Sequence, residues 1–260
     1  MLSAETVLVR QFPCLSDNYG VLIHDPASRT TIAIDVPDAA LYEKALHENG
    51  WKLTHILVTH HHWDHTQGID NLKMLTGAVV IGPDMSRDKI EAMTHGIEDG
   101  DKVLCGPIEA IAIGTPGHTL DQISWYFPQL KMAHTGDTMF ALGCGRVFEG
   151  DKKMMWSSLQ KLKRILPDDT TIYCGHEYTL ANAAFALIID PENADLRARS
   201  VVIEALRSDN MPTLPTTMKL EKATNPFLRA DQPAIKANLG MTDRSDADVF
   251  AEIRTRKDNA

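Results

Sequence analysis

The segment at residues 59–65, with the sequence THHHWDH, concentrates side chains that bind metal ions. It follows an apolar run at residues 53–58. A loop that leaves the end of a strand is a common place for catalytic groups, because the sheet fixes its root. His60 and His62 are two residues apart and can point the same way, whereas Asp64 and His65 can reach a second point. One short segment could therefore serve two metal ions.

Further candidate donors follow other apolar runs of the chain. Imidazole and carboxylate suit zinc, iron or manganese, and a catalytic metal also needs open positions for water and substrate. Four donors do not complete two such sites, but His118, Asp137 and His176 each follow a short apolar run and each stand next to a glycine. A glycine lets the backbone approach a crowded centre. Among the other histidines, which we interpret as surface or supporting groups, His61 and His134 are placed to support ligands.

The elements that must position these donors are predicted from apolar runs and their spacing. Short runs rich in Val and Ile predict strands at residues 7–12, 19–24, 31–36, 53–58, 79–81, 108–113, 123–127, 131–135 and 171–174. Helices are predicted at residues 39–49 and 68–76. Met155, Leu159, Leu162 and Leu166 recur at helical spacing, and Pro167 marks the end of that helix. The first part of the chain is thus predicted to mix strands with helices.

The pattern changes after Glu177. Residues 178–189, 193–208 and 247–257 carry apolar residues typical of helices, and Ser245 with Asp248 forms a possible capping box for the last of them. Residues 211–233 contain prolines and are predicted to be an irregular connection. We therefore predict a strand-rich metal-binding domain at residues 1–175 and an all-helical domain, without strands between its helices, at residues 176–260.

Composition excludes several classes of protein. The 260 residues, of which 43% are hydrophobic, can bury one large core or a core plus a small appended domain. A formal charge of −9 argues against nucleic-acid binding, which needs a basic surface. There is neither a membrane-spanning apolar run nor a signal-peptide pattern, so a cytoplasmic location is expected. The four cysteines are scattered and are predicted to be reduced.

The metal motif resembles that of the metallo-β-lactamase superfamily, whose Thr-His-x-His-x-Asp-His pattern is matched at residues 59–65. This resemblance implies an α/β fold, the αββα sandwich, which hosts many different activities. Within the superfamily, the whole chain resembles the glyoxalase II family, the hydroxyacylglutathione hydrolases. The segments that carry this likeness are residues 17–19, 143–146, 175–179, 225–229 and 254–258. The likeness includes the C-terminal helical part.

The resemblance implies two divalent metal ions, zinc before iron or manganese, and a role for each donor. One ion would take His60, His62 and His118, the other Asp64, His65 and His176, and Asp137 would bridge them. The same resemblance implies that a glutathione thioester is bound by Arg146, Tyr178, Arg254 and Lys257, with Phe148 at a position where relatives often have Tyr. The enzyme is expected to be a monomer that acts on this small molecule, with neither nucleic acid nor membrane as a partner.

Three positions depart from the family pattern. Phe148 lacks the hydroxyl of the usual Tyr, Gln67 replaces a usual Gly, and Asp121-Gln122 replace a usual Gly-His. None of these departures removes a proposed metal ligand. We therefore expect them to affect substrate affinity more than chemistry.

The expected reaction is hydrolysis of S-(2-hydroxyacyl)glutathione, such as S-lactoylglutathione, in the second step of methylglyoxal detoxification. A hydroxide between two metals would attack the thioester carbonyl, with Asp64 orienting it or acting as a ligand alone. The leaving thiol has a pKa of roughly 8.5 and departs without a strong acid. Two alternatives are an iron-dependent persulfide dioxygenase of the same fold, which usually lacks the helical tail, and a non-enzymatic metal-binding protein, in which degenerate ligand loops would be expected.

Overall fold

The structure is a computed structural model that describes residues 6–260. The chain divides into two compact units. The first extends to Gly114 and also includes Asp121–Gly136, and the second comprises Thr115–Leu120 and Asp137–Ala260. None of the helices in the described span has both the length and the apolar character that crossing a membrane requires.

The described residues of the first unit form ten strands in two sheets. The first sheet has the order β1-β2-β3-β4-β5-β6, and its strands are Leu8–Cys14, Asn18–Asp25, Thr30–Ile34, His55–Leu57, Val79–Pro83 and His95–Ile97. In the second sheet the unit contributes β7 to β10, which are Lys102–Cys105, Ile108–Gly114, Ile123–Phe127 and Met132–His134 and pair in the order β10-β9-β8-β7. This mixed architecture confirms the predicted α/β fold class.

Three helices of the first unit follow strands of the first sheet. They are α1 (Ala39–Asn49), α2 (Trp63–Thr66) and α3 (Ile69–Thr76). The predicted bounds of α1 are confirmed. The helix begins after Asp38, whose side chain accepts hydrogen bonds from two backbone N–H groups of the first turn, and ends at Gly50, which is in the left-handed conformation. The buried Tyr42 packs in the core of this unit and donates a hydrogen bond to the carbonyl of Ile34.

Strands β3 and β4 are parallel neighbours, with Ile34 opposite Leu57. Their carboxyl ends therefore lie at the same edge of the sheet, where β3 leads into Asp35 and β4 leads into the segment at residues 59–65. This edge is where open sheets of parallel strands present functional groups. The register places Asp35 next to the start of the metal motif.

The second unit is mainly helical. Its helices are α4 (Lys152–Ile165), α5 (Thr179–Ile189), α6 (Ala194–Ser208), α7 (Met218–Thr224), α8 (Pro233–Leu239) and α9 (Asp246–Asp258). Its strands are the two-residue pair β11 (Met139–Phe140) and β12 (Gly143–Cys144), together with β13 (Thr171–Tyr173) and β14 (Thr216–Thr217), which pair antiparallel. The predicted α4 and α9 are confirmed within a few residues, and Ser245 caps α9 through the backbone N–H of Asp248.

The prediction of an irregular connection at residues 211–233 was wrong at residues 216–224. This stretch contains β14 and α7, so a strand does lie between the C-terminal helices. Thr217 caps α7 by accepting a hydrogen bond from the backbone N–H of Leu220. A seven-residue helix spans only two turns, which is too short to show clear periodicity. Helix α8 was also missed, although Pro233 in its first turn is a typical start signal.

Candidate metal and substrate site

The first unit brings together the four donors of the metal motif. His60 and His65 are buried, with 0% and 1% of their surfaces exposed. The ring centroids of His60 and His62 are 4.7 Å apart, and those of His60 and His65 are 4.2 Å apart. Asp64 lies partly exposed in α2, and its Oδ2 accepts a hydrogen bond of 3.0 Å from the amide of Asn18.

Asp35 supports this loop from the neighbouring strand end. Its carboxylate accepts hydrogen bonds from the backbone N–H and the hydroxyl of Thr59, at 2.7 and 2.8 Å, and lies 2.8 Å from Nδ1 of His65. Nδ1 of His60 lies 2.9 Å from the Thr59 hydroxyl. Because Nδ1 is engaged in both rings, Nε2 is the nitrogen available for a metal, and such outer partners orient metal-binding histidines. Asp35 was not identified from the sequence, because it lies inside the run predicted as a strand at residues 31–36, whereas β3 ends at Ile34.

A second carboxylate, Asp121, supports the adjacent His61. Its Oδ1 is 2.9 Å from Nδ1 of His61, and its Oδ2 accepts hydrogen bonds from the His61 backbone N–H and from the hydroxyl of Ser86. Asp121 is one of the positions at which the sequence departs from the pattern that the family resemblance implies. In this chain the departure therefore stabilises the metal loop from outside the proposed ligand set.

The second unit brings together the other three predicted donors. His118, Asp137 and His176 are each 4–5% exposed. Oδ2 of Asp137 lies 3.5 Å from Nε2 of His118 and 3.2 Å from Nε2 of His176. Nδ1 of His118 is 2.7 Å from the carbonyl oxygen of Arg146, so this ring also presents Nε2 toward the carboxylate. One carboxylate thus faces two imidazoles, which is the arrangement that a bridging ligand requires.

Aromatic rings border these donors. Tyr178 stacks on His176 with centroids 4.8 Å apart and an interplanar angle of 4°. Phe148 meets His118 edge to face at 5.2 Å, and 61% of its surface is exposed. Tyr178 is also exposed, and both rings could therefore contact a ligand.

The three basic residues predicted to contact glutathione lie in different environments. The side chain of Arg146 is 58% exposed, whereas Arg254 is 4% exposed and bound on several sides. Its Nη1 donates to the carbonyl of Cys144 at 2.8 Å, and its Nε and Nη2 each lie 3.0 Å from Asp258. Nζ of Lys257 donates to the carbonyl of Ala181, and burial, together with the charge of Arg254, lowers the pKa of this lysine.

The four cysteines are free and buried. Burial raises the pKa of the Cys14 and Cys105 thiols to about 12 and that of Cys144 to about 11, although Arg254 acts in the opposite direction on Cys144. Burial also raises the pKa of Cys174, which stands two residues before a proposed ligand. These thiols are therefore protonated at neutral pH and make poor metal ligands.

The donors present in both units fit divalent transition metals. They are imidazoles and carboxylates, most of them buried, and three of the imidazoles are oriented through Nδ1 by a carboxylate, a hydroxyl or a carbonyl. Structural and catalytic sites for zinc or iron use these ligands and these outer partners.

Comparison with known proteins defines the class of the chain in two parts. The metallo-beta-lactamase superfamily matches residues 15–176, and the hydroxyacylglutathione hydrolase C-terminus matches residues 177–260. The crystal structure of ETHE1 from Myxococcus xanthus is similar, with a TM-score of 0.69, 25% identity and coverage of 96% of this chain and 91% of that chain. TTHA1623, whose crystal structure is of a di-iron-bound form, is 21% identical, with a TM-score of 0.60 over 85% of this chain and 100% of that chain.

The chain belongs to the hydroxyacylglutathione hydrolase family of the metallo-β-lactamase superfamily. The hydroxyacylglutathione hydrolase of Maricaulis maris (strain MCS10) is 51% identical over 253 residues, which cover 97% of this chain and 98% of that protein. Histidine and aspartate clusters on this fold support a dinuclear metal site.

Proposed function

We propose that this protein is a metal-dependent thioesterase that hydrolyses S-(2-hydroxyacyl)glutathione, such as S-lactoylglutathione, to glutathione and a 2-hydroxy acid. This reaction is the second step of methylglyoxal detoxification. The observation that carries the proposal is similarity over nearly the full length, including the helical C-terminal part, to proteins named hydroxyacylglutathione hydrolase. We also propose that residues 1–175 form the catalytic domain and residues 176–260 the substrate-binding domain.

The proposed ligand set assigns seven side chains to two ions. One ion would be held by His60, His62 and His118, the other by Asp64, His65 and His176, with Asp137 shared between them. The family resemblance supports this set, and so does the position of Asp137 between two imidazoles of its own unit. We favour zinc over iron or manganese as the metal.

Two such ions, when bound, lower the pKa of a water molecule toward ~7 and stabilise negative charge on the substrate carbonyl oxygen. The chain itself would supply the carboxylates of Asp64 and Asp137 to hold and orient the attacking water. The Asn18 amide fixes one oxygen of Asp64 by a hydrogen bond. The leaving thiol has a pKa of roughly 8.5 and needs no strong general acid.

The substrate contacts that we propose are Arg146, Phe148, Tyr178, Arg254 and Lys257. Arg146, Phe148 and Tyr178 are exposed, and two of them border proposed ligands, which supports a role beside the reacting carbonyl. Lys257 is partly buried, so it could bind a glutathione carboxylate with reduced competition from water. Arg254 already binds Asp258 and Cys144, so its contribution would require some exchange of partners.

The test combines metal analysis of the purified protein with an assay that follows glutathione release from several thioesters. We expect two metal ions per chain and the fastest release from 2-hydroxyacyl thioesters. Oxygen consumption with glutathione persulfide and no thioester hydrolysis would instead indicate the dioxygenase alternative. The cytoplasmic location and the monomeric state expected from the sequence remain part of this proposal.

A further inference from the structure

Four consecutive residues after Asp137, at positions 140–143, form backbone hydrogen bonds with side chains that are distant in the sequence. The amide of Asn225 donates to the carbonyls of Phe140 and Gly143, at 3.2 and 3.0 Å. The backbone N–H of Leu142 donates to Oε2 of Glu221 at 2.9 Å, and the amide of Asn182 donates to the carbonyl of Ala141 at 3.1 Å. We refer to Asn182, Glu221 and Asn225 as the loop clamp.

The loop clamp is buried and internally connected. Asn182 is 5% exposed, and Glu221 and Asn225 are 0% exposed. Asn225 also donates to Oε2 of Glu221, while the guanidinium of Arg199 lies 2.6 Å from Oε1. The charge of Glu221 is therefore paired on one oxygen, which leaves the other to hold the loop. A buried carboxylate with this many partners is costly to disturb.

The loop itself has little regular structure that could hold it in place. Apart from the two-residue strands β11 and β12, its buried backbone groups need partners from elsewhere, because unpaired groups of this kind are costly. Leu142 lies in the left-handed region, with φ of 57°, and its buried side chain packs with Ala183, Ala186 and Leu196 of α5 and α6. The clamp and this packing together fix the loop on the helices.

The chain that follows the clamped residues returns to Asp137. After Gly143 the chain turns back, and the backbone N–H of Gly145 bonds the carbonyl of Thr138 at 3.3 Å. A Cβ atom at Gly145 would collide with the carbonyl oxygen of Asp137, which shows how tightly the returning strand lies against this residue. Arg146, which follows, holds Nδ1 of His118 through its carbonyl. A shift of the loop would therefore displace both Asp137 and His118.

We propose that Asn182, Glu221 and Asn225 are positioning residues for the metal-bridging carboxylate of Asp137, an inference that rests on the function proposed above. The C-terminal helices thus serve the metal site as well as the substrate. Because these residues act through Asp137, their loss should speed the release of metal and lower kcat. Because none of the three is among the proposed glutathione contacts, kcat should fall equally for all thioesters. A residue that only bound glutathione would raise KM for glutathione substrates alone.

The main variant for testing the clamp is Asn225→Leu, which keeps the approximate shape but cannot donate hydrogen bonds. The milder Asn182→Leu removes a single bond to the loop and keeps the test available if the first variant does not fold. The matched control is Asp190→Asn, because Asp190 is a buried carboxylate of the same unit that binds Arg229 and Asn193. Within residues 6–260, its side chain makes no hydrogen bond to the loop. All variants are made in the full chain with metal bound.

The first readout is the rate at which each metal-loaded protein releases metal to a chelator, measured together with its melting temperature. We expect at least about tenfold faster release from Asn225→Leu and a smaller increase from Asn182→Leu, comparable to the effect of losing an outer partner of a metal ligand. Asp190→Asn should lower the melting temperature and leave the release rate unchanged. Equal release rates in all four proteins, or rates that follow only the melting temperature, would overturn the proposal.

The second readout is kcat and KM with a glutathione thioester and with a small thioester that lacks the tripeptide. We expect kcat to fall for both substrates while KM changes little. A rise in KM confined to the glutathione substrate would assign the clamp to substrate binding and reject the proposal. If the wild-type protein hydrolysed neither thioester, the proposed function would fail, whereas the metal-release comparison would still decide whether the clamp positions Asp137.

Discussion

The loops at residues 59–65 and 137–146 both carry proposed metal ligands, yet the chain supports them differently. The first loop leaves a parallel strand and is anchored by Asp35, at the end of the adjacent strand. The second loop is held by Glu221 and Asn225, which are separated from it by 79 to 85 positions in the sequence. A sheet edge can thus position ligands with nearby support, whereas an irregular loop needs partners from distant parts of the chain.

The largest effect is expected from Asp137→Asn, which tests whether the second loop contributes a shared ligand. A neutral amide cannot offset the repulsion of two cations, so metal content and hydrolysis should fall together. The loss of metal affinity and activity should be larger than the decrease of about 10–100-fold that follows removal of an outer partner of a metal ligand. The measurement is metal ions per chain alongside kcat/KM. A purified variant with two ions and normal turnover would show that Asp137 does not bridge.

Asp35→Asn tests the local anchor of the first loop. Asn can donate where the carboxylate only accepts, so the hydrogen bonds from Thr59 and the orientation of His65 are disturbed. We expect metal affinity, measured by competition with a chelator, to fall by about 10–100-fold. Asp121→Asn is the matched control, because Asp121 supports His61, which is not a proposed ligand. Equal losses in both variants would mean that the loop responds as a whole and that Asp35 has no special role.

Lys257→Ala tests whether the helical region also has a separate role in binding substrate. A hydrogen bond to a charged group contributes about 1.5–3 kcal/mol, and partial exposure reduces this, so KM for a glutathione thioester should rise about tenfold. The proposed contact would lie far from the carbonyl, so kcat should change little. A small thioester without the tripeptide is the control substrate. An equal change for both substrates, or none, would remove Lys257 from the binding site.

The smallest effect is expected from Phe148→Tyr, which adds the hydroxyl that the family resemblance implies at this position. Phe148 is exposed beside His118, so the added hydroxyl can reach a bound ligand without disturbing the core. A neutral hydrogen bond contributes about 0.5–1.5 kcal/mol, and KM for glutathione thioesters should therefore fall by less than about tenfold. Turnover should stay the same. An unchanged or higher KM would contradict this placement of the side chain.

The two loops also differ in what the sequence could predict. His60, His62, Asp64 and His65 stand within six positions, so their types and spacing alone indicated a metal site. The fold class followed from the apolar runs and the family resemblance. Hydrogen bonds between residues far apart in the sequence leave no such pattern. Asn225 lies in a segment that carries the family resemblance, but nothing near it in the sequence indicates that it binds Phe140 and Gly143.

The missed elements have the same physical origin. Helix α7 spans only seven residues, and strands β11 and β12 span only two each. None of the three is long enough to show a regular spacing of apolar residues. Such short elements are stabilised by tertiary contacts more than by their own propensity. Glu221 of α7 illustrates this, because its partners come from α6, from β14 and from the loop after Asp137.

The burial of all four cysteines has a consequence for a protein proposed to release glutathione at every turnover. Thiol–disulfide exchange requires a thiolate with access to the disulfide. Burial raises the pKa of the Cys144 thiol to about 11 and raises the pKa values of the other three thiols as well, so all four are protonated at neutral pH. We therefore expect the native protein to resist the formation of mixed disulfides with oxidised glutathione.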